Sequence, residues 1–446
     1  MNKSFFIGYI FFVICFFVPS ISYAYLDPGT GNALLYVILS LTGAVFYFLK
    51  GIFYKAIKKN PSHSSINEIK TSFSQHDSIV IFNEGKAYWH IFKPVVEKLI
   101  EKKQRFSYYT MDIKDPCLLI DNQYMNNRFI GEGNVAYVKM GNLSANIVLS
   151  TTPNIGTDGY PLPRSENIKK LVHISHGFND LSYYHKGSLD HYDAVMLVGD
   201  FEIPIIRKLE TIRGVPKKEL YPAGLPYMDE LIKNANQCKS NSAKSNRCFD
   251  FQNITVLLAP SWGRKGFLNC YGTDFIELLA DKGFNLILRP HPQSLKVEKK
   301  LIKNIEKKLK KYSNVVWDFN PDGTEAFQTA DILISDTSGI RLDFALVYQK
   351  PFITIPISFS QETLQDFEVS DIGYSWNEEA MKAIGYGYTL HESEFDRLDE
   401  VITDVLNKKD NKAILEFRDN NIYNLGKSGE IIADYLINNN LLLEQG

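Results

Sequence analysis

Cysteine is scarce in this chain and is not arranged in pairs. The five cysteines are scattered, and none belongs to a C-x-x-C motif; they are Cys15, Cys117, Cys238, Cys248 and Cys270. An odd number of scattered cysteines argues against a disulfide framework. Two of them flank a polar segment near residue 240, but a zinc knuckle there would need two further ligands that the sequence does not supply.

A strong net charge and paired acidic motifs are also absent. The chain has 49 Lys and Arg against 51 Asp and Glu, so its net charge of −2 gives no bulk attraction to nucleic acid. No Asp-x-Asp pair occurs, and a metal-bridged diphosphate site has no evident ligands. We therefore predict no metal and no cofactor. The 446 residues are enough for two or three domains.

Two long apolar runs lie near the N-terminus. Residues 1–24 combine an early lysine, an apolar run and small residues, which predicts a signal peptide or a first transmembrane helix. Residues 33–53 are apolar over the length of a bilayer span. Lysines follow from residue 55, and positive charge favours the cytoplasmic side. We expect a membrane anchor, a tether at residues 54–77 and a cytoplasmic body.

The rest of the chain alternates short apolar runs with amphipathic segments. The predicted strands are 78–82, 106–109, 135–140, 147–150, 170–175, 194–198, 254–259, 285–289, 315–317, 332–335 and 352–355. This rhythm predicts an α/β fold with parallel sheets covered on both faces. A helix is predicted at 295–311, where eight Lys stand against two Glu. That lysine-rich face favours either plain solvent exposure or an anionic membrane surface.

Residues 331–346 combine an apolar run, a polar turn and a second run with helical spacing. Ile332–Ile334 predicts a buried strand, and residues 340–347 predict a helix. Backbone N–H groups are unpaired at a helix start and attract anions, so the turn between them favours a phosphate or an ordinary N-cap. The polar side chains of this turn are Asp336, Thr337 and Ser338.

Four polar segments are predicted at the carboxyl ends of strands, where open parallel sheets bind their ligands. They are His176–Gly177, Ser261–Arg264, Arg289–Pro292 and Asp336–Gly339. The first lies in the N-terminal half and the others in the C-terminal half, so we expect a cleft between two halves. Three side chains there can offer positive charge or N–H groups to a diphosphate; they are Arg264, Arg289 and His291.

The order of these segments resembles the CDP-glycerol glycerophosphotransferase family, the teichoic-acid polymerases and primases. Members show His-Gly-Thr-Pro, Ala-Pro-Thr-Trp-Arg, Arg-x-His-Pro, and Asp-Tyr-Ser-Ser with a downstream Phe-Asp-Phe. The corresponding segments here are His176–Asn179, Ala259–Arg264, Arg289–Pro292, Asp336–Gly339 and Leu342–Phe344. Gly224 and Pro226 stand where members have a Gly-x-Pro turn. The resemblance extends over roughly residues 145–360.

The resemblance implies a GT-B fold, in which two Rossmann-like domains enclose the site. It implies an acceptor-side domain, a linker, a donor-nucleotide domain and C-terminal helices, at residues 78–236, 237–253, 254–410 and 411–446. It also implies that a polyol phosphate passes from a CDP-polyol to a lipid-linked or glycan acceptor, with release of CMP. Such a reaction builds teichoic-acid-like or capsular polymers at a bacterial inner (cytoplasmic) membrane.

Single residues take roles from the same resemblance and from their positions at strand ends. His176 matches the proposed general base, and an imidazole titrates near neutral pH, as that role requires. The residues expected to bind the donor or its phosphates are Ser261, Arg264, Arg289, His291, Asp336, Thr337, Ser338 and Asp343. Those expected elsewhere in the cleft are Gly177, Gly224, Pro226 and Trp262.

The chain departs from the family motifs at predicted ligand contacts. Phe178–Asn179 replaces Thr-Pro, Gly263 is inserted before Arg264, and Thr337 and Gly339 replace Tyr and the second Ser. The main alternative is a GT-B glycosyltransferase that uses a nucleotide sugar. A nucleotide-sugar epimerase, an inactive binding module and a zinc site also fit parts of the pattern. The zinc site would use His173, His176, His185 and His191.

Overall fold

The N-terminal half is built on a parallel sheet of seven strands. The computed structural model describes residues 76–445 except 179–180, 241–252, 264–265, 321–322, 337, 358–363, 374, 376–386 and 409–410. The strands are β1 (Asp77–Asn83), β2 (Phe106–Thr110), β3 (Met125–Phe129), β4 (Ala145–Ser150), β5 (Ile168–Ile174), β6 (Ala194–Leu197) and β7 (Glu219–Pro222). Their order in the sheet is β3-β2-β1-β4-β5-β6-β7. Buried apolar runs such as Ile79–Phe82 suit a sheet covered on both faces.

The C-terminal half repeats this arrangement with six described strands. They are β8 (Thr255–Leu258), β9 (Asn285–Leu288), β10 (Val315–Trp317), β11 (Ile332–Ser335), β12 (Phe352–Thr354) and β13 (Gly387–Thr389). Every pair is parallel, and the order is β10-β9-β8-β11-β12-β13. The predicted architecture of two parallel-sheet α/β domains is therefore confirmed.

Helices cover both sheets and carry the crossovers between parallel strands. Those in the described residues are α1 (Trp89–Glu101), α2 (Asn134–Gly141), α3 (Glu202–Arg213), α4 (Pro226–Ser240), α5 (Phe267–Cys270), α6 (Gly272–Asp281), α7 (Ser294–Val297), α8 (Lys299–Leu309), α9 (Thr324–Thr329), α10 (Ile340–Tyr348), α11 (Val369–Ile372), α12 (Leu398–Asn407), α13 (Asn411–Asn421) and α14 (Ser428–Gln445). Short 3-10 helices lie at Lys86–Tyr88, Pro116–Leu119, Leu181–Tyr183 and Glu392–Arg397. Most long helices bury one apolar face, as the spacing predicts.

Helix α4 and the C-terminal helices join the two halves, and Phe73–Gly446 form one compact unit. Helix α4 packs against α1 on one side and against α10 on the other, and α14 returns to the first sheet beside β1 and β4. Gly224 lies where the segment before α4 passes close to another part of the chain, and its lack of a side chain permits the contact. Its φ is +88°, and a Cβ there would overlap the carbonyl oxygen of Tyr423.

Two predicted elements are wrong. The strand predicted at 135–140 is helix α2, in which Ala136 and Met140 are buried four residues apart on one face. The single helix predicted at 295–311 is two helices, because the backbone of Glu298 leaves the helical conformation at φ −114° and ψ 26°. Strands β3, β7 and β13 occupy segments for which no strand was predicted.

The strand order predicts one ligand-binding position at the edge of each sheet. It reverses between β1 and β4 in the first sheet and between β8 and β11 in the second. Loops after such neighbouring strands diverge and leave a crevice at the carboxyl edge.

The predicted anchor lies outside the described residues. Within residues 76–445 as described, no helix has the length and apolarity to cross a membrane.

Candidate active site between the two sheets

Asp336 ties together the loops that follow β8 and β11. Its two oxygens each accept a hydrogen bond from the backbone N–H of Ser261 at 3.0 Å. The Ser261 hydroxyl also donates to Oδ2 at 2.7 Å, and the backbone N–H of Ser338 donates to Oδ1 at 3.2 Å. Burial raises the pKa of Asp336, against these hydrogen bonds, which lower it. Because both oxygens are engaged and the side chain is fully buried, Asp336 holds the two loops together, and the predicted donor contacts of Asp336 and Ser261 stay predictions.

Arg289 follows β9 and is held in place by its surroundings. Its Nη1 donates to Oδ2 of Asp318 and to the carbonyl oxygen of Asn320, both at 2.7 Å. The guanidinium lies 5.8 Å from the ring centroid of Phe327. A Cβ on Gly323 would lie 3.0 Å from Arg289 Cζ, so the glycine leaves room for the arginine. The head group is therefore oriented before any ligand binds.

His291 lies in the same loop as Arg289, and Trp262 lies near it in the loop after β8. The backbone N–H of Gln293 donates to His291 Nδ1 at 3.1 Å, so the neutral ring carries its proton on Nε2 and can donate there. Burial lowers the pKa of His291, and Glu298 raises it. Glu298 also accepts the backbone N–H of Gly263 at 3.2 Å, which fixes the inserted glycine at φ +107°. Trp262 is 50% exposed.

Ser338 and Asp343 flank the start of α10. Ser338 lines the cavity described below, but Asp343 is buried behind Tyr227. The Tyr227 hydroxyl donates to Oδ2 of Asp343 at 3.1 Å, and Oδ1 has no hydrogen-bond partner. Burial raises the pKa of Asp343 to about 7, against the bond from Tyr227, which lowers it. Asp343 therefore reaches the cavity only through the tyrosine.

A cavity of about 450 Å³ lies between the two halves. The C-terminal half contributes Ala259, Pro260, Arg289, Pro290, His291, Pro292, Gly323, Phe327, Ser338 and Ile340 to its lining. The N-terminal half and α4 contribute Lys86, Trp89, His90, Lys93, Tyr227, Glu230, Leu231 and Asn234. Three of the predicted donor-binding residues, Arg289, His291 and Ser338, thus meet in one place.

Lys86, His90 and Lys93 form an N-terminal wall that the sequence motifs did not reveal. They follow β1 at its carboxyl end, beside the reversal between β1 and β4. Burial and then the nearby His176 lower the pKa of His90 to about 4. Lys93 is bridged to Glu230 at 2.8 Å. The available signal was their position after the first strand, to which the strand-end rule applies equally.

His176 lies in the bend after β5, next to the N-terminal wall and outside the cavity lining. Its Nδ1 is 3.3 Å from the Tyr184 hydroxyl, and the two rings stack with centroids 5.9 Å apart. Tyr88 meets the ring edge-on at 5.9 Å and lies two residues before His90. Burial lowers the pKa of His176 to about 4. The imidazole is therefore neutral near pH 7, and it titrates below the near-neutral range that the sequence analysis expected of the base.

The other predicted residues lie around this site or outside the described part of the chain. Gly177 is buried beside His176, and Pro226 opens α4 just after Gly224. Arg264 and Thr337 fall outside the described residues. The zinc alternative has no support there either, because no three His, Cys, Asp or Glu side chains of the described chain gather as a metal site requires.

Comparisons with known proteins bear on the family and the fold. Residues 179–361 match the family model of CDP-Glycerol:Poly(glycerophosphate) glycerophosphotransferase. The wall teichoic acid polymerase TagF is similar in structure, with a TM-score of 0.54 and 16% identity over 82% of this chain and 89% of that one. Methanocaldococcus jannaschii UDP-GlcNAc 2-epimerase gives a TM-score of 0.52 and 16% identity over 81% and 99%. No curated protein matches the chain.

The two kinds of match support different conclusions. At 16% identity the solved structures establish the fold, a GT-B-like pair of parallel-sheet domains. The family match covers the C-terminal wall of the cavity and begins three residues after His176. Residues 179–361 match the CDP-glycerol:poly(glycerophosphate) glycerophosphotransferase family model, and the chain is a CDP-glycerol glycerophosphotransferase-like enzyme.

Proposed function

We propose that the enzyme transfers a polyol phosphate, glycerol phosphate or a similar group, from a CDP-polyol to a lipid-linked or glycan acceptor of a cell-surface polymer. The composition of the cavity carries the proposal. Arg289, His291 and Ser338 on the C-terminal wall face Lys86 and His90 on the N-terminal wall. Positive charge and N–H donors on two sides suit a diphosphate, whose transfer depends chiefly on charge neutralisation and alignment.

The proposed step is a single displacement at phosphorus. An acceptor hydroxyl oxygen attacks the phosphorus that bears the polyol and forms the new P–O bond. The bond from that phosphorus to the oxygen of the CMP phosphate breaks, and CMP leaves with the electron pair. A base takes the hydroxyl proton. Arg289 is proposed to stabilise the charge that develops on the departing phosphate, because Asp318 and Asn320 already fix its orientation.

His176 is proposed as the base, with His90 beside it on the acceptor side. Both imidazoles are neutral at neutral pH, because burial lowers the pKa of each to about 4. In the tautomer proposed here, Nδ1–H of His176 donates to the Tyr184 hydroxyl oxygen, and Nε2 is left to take the proton of the acceptor hydroxyl. His90 lines the cavity itself and is proposed to contact the acceptor hydroxyl or phosphate.

We further propose that the enzyme works at the cytoplasmic face of a bacterial inner membrane, where a lipid-linked acceptor is found. The apolar runs at 1–24 and 33–53 support this, and so does the lysine-rich outer face of α7 and α8. Carbonate washing of membranes from expressing cells should leave the full chain in the pellet. Recovery of the chain in the wash would contradict anchoring.

Nucleotide binding tests the donor class. CMP should raise the melting temperature of the full chain more than UDP at equal concentration, and Arg289→Ala should abolish the CMP effect. His176→Ala should retain the CMP effect, because His176 lies in the other half. A larger effect of UDP would favour the nucleotide-sugar glycosyltransferase instead. CMP release that persists in His176→Ala would remove the base assignment.

A further inference from the structure

Residues 364–373, here called the strap, connect the C-terminal half to the predicted base. The strap lies between β12 and β13, which both belong to the second sheet, yet it docks on the first half. The backbone N–H of Lys186 donates to the carbonyl oxygen of Asp366 at 3.0 Å, and that of Glu368 donates to the carbonyl oxygen of Tyr184 at 2.9 Å. His185 and Phe367 form the antiparallel bridge between these two bonds.

Glu368 anchors the strap through its side chain as well. The carboxylate is 1% exposed and pairs with both terminal nitrogens of Arg213, with Oε1 at 3.0 Å from Nη1. The Ser188 hydroxyl donates to the same Oε1 at 3.2 Å. A buried carboxylate is retained at low cost only when it is paired and hydrogen-bonded in this way, so these partners fix its position closely.

Further contacts hold the rest of the strap against the first half. Asp371 lies 3.1 Å from Arg213 and 2.7 Å from Lys186. The amine of Lys208 donates to the carbonyl oxygen of Ile372 at 2.7 Å. Ile372 is itself 2% exposed and packs in the apolar core of the first half. The strap is therefore an integral part of the first half, supplied by the second.

The segment that receives the strap carries the partner of His176. Tyr184 accepts the Glu368 N–H with its backbone oxygen, and its hydroxyl meets His176 Nδ1 at 3.3 Å. Its ring is buried and stacks on the imidazole at an interplanar angle of 13°. The position of Tyr184 therefore constrains the orientation of the imidazole.

We propose that Glu368 is a positioning residue for His176, acting through Tyr184, so that the C-terminal half sets the orientation of the base in the N-terminal half. The inference rests on the proposed role of His176. Transfer requires that the donor in one half and the base in the other be aligned, and the strap is a segment between two strands of the second sheet that packs on the first half. Misplacing a catalytic group costs rate, and donor binding in the second half stays unchanged.

The test is a double-mutant cycle on the full chain. Glu368→Gln keeps the shape of the side chain and removes its charge, and Tyr184→Phe removes the bond to His176. Each should lower kcat by roughly ten- to a hundredfold, with the Kd for CMP within about twofold of wild type. The double variant should be no slower than the slower single one, because both act on one path. Glu219→Gln, which breaks the surface pair with Lys170, is the matched control and should leave kcat unchanged.

Two results would overturn the inference. One is a kcat for Glu368→Gln within about twofold of wild type, and the other is a double variant whose loss is the product of the single losses. If Glu368→Gln does not fold, Ser188→Ala takes its place, since it removes one hydrogen bond from the same carboxylate.

A readout that does not require turnover separates this inference from the proposed function. Diethyl pyrocarbonate modifies accessible neutral imidazoles, and peptide mass spectrometry gives its rate at His176. Glu368→Gln should raise that rate several-fold over wild type, because the Tyr184 ring no longer holds the imidazole in place. An unchanged rate overturns the role of the strap. Absence of transfer by the wild type, with the rate at His176 raised, would instead remove the proposed function alone.

Discussion

Replacement of Asp343 by Asn should change how stability depends on pH. Burial raises the pKa of Asp343 from 3.8 to about 7. Ionisation of this carboxyl at high pH therefore lowers the free energy of unfolding by at most about 4 kcal/mol. The folded state binds the proton more tightly than the unfolded state. The stabilisation is therefore full below about pH 3.8 and is lost as the pH rises to about 7. Asn resembles the protonated acid in shape and does not ionise. The variant therefore keeps the stability that the wild type loses as the pH rises.

The comparison requires urea denaturation of both proteins across the pH range. Between about pH 5 and about pH 8 the variant should gain about 2.5 kcal/mol of unfolding free energy relative to the wild type. Tyr227→Phe, which removes the bond that lowers the pKa of Asp343, should move the wild-type transition to higher pH. A difference between Asp343→Asn and wild type that stays constant over this range would refute the reasoning. It would show that the carboxyl is not held in its protonated form by burial.

Two other changes test single contacts. Arg289→Lys cannot keep the bonds to Asp318 and Asn320 while facing the cavity, so the Kd for CMP should rise at least about tenfold in calorimetry; an unchanged Kd would exclude Arg289 from the donor site. Gly224→Ala should destabilise the chain by at least about 2 kcal/mol in urea denaturation, because of its φ and the overlap with the carbonyl oxygen of Tyr423. Gly214→Ala, at φ +64° with open space around a Cβ, is the control and should cost clearly less.

Apolar runs were sufficient to predict most of the two sheets. β11 and α10 occupy the predicted positions, because Ile332–Ile334 is buried on both faces and α10 follows a short polar turn. β3 was missed because its segment, Met125–Phe129, is mostly polar and only partly buried at the sheet edge. Helix α2 was predicted as a strand because its apolar residues follow one another as closely as those of a strand. Only the pattern of buried residues in the structure distinguishes the helix from a strand.

The donor side of the site was accessible from sequence, and the acceptor side was not. Arg289, His291 and Ser338 each sit in a local motif at a strand end, and their loops lie close to one another at one sheet edge. The wall formed by Lys86, His90 and Lys93 has no local motif, and its facing partners are contributed by distant segments. The same holds for Asp336, whose role as a loop clamp follows from four hydrogen bonds that no sequence pattern specifies.

The central claim is that the enzyme transfers a polyol phosphate from a CDP-polyol bound in this cavity. Its most direct test is to supply the full chain, in membranes, with CDP-glycerol labelled in the glycerol and to follow both products. We predict that CMP forms and that an equal amount of label enters the lipid or polymer fraction, with both lost in Arg289→Ala. Consumption of a UDP-sugar with release of UDP, and no turnover of CDP-glycerol or CDP-ribitol, would contradict the claim.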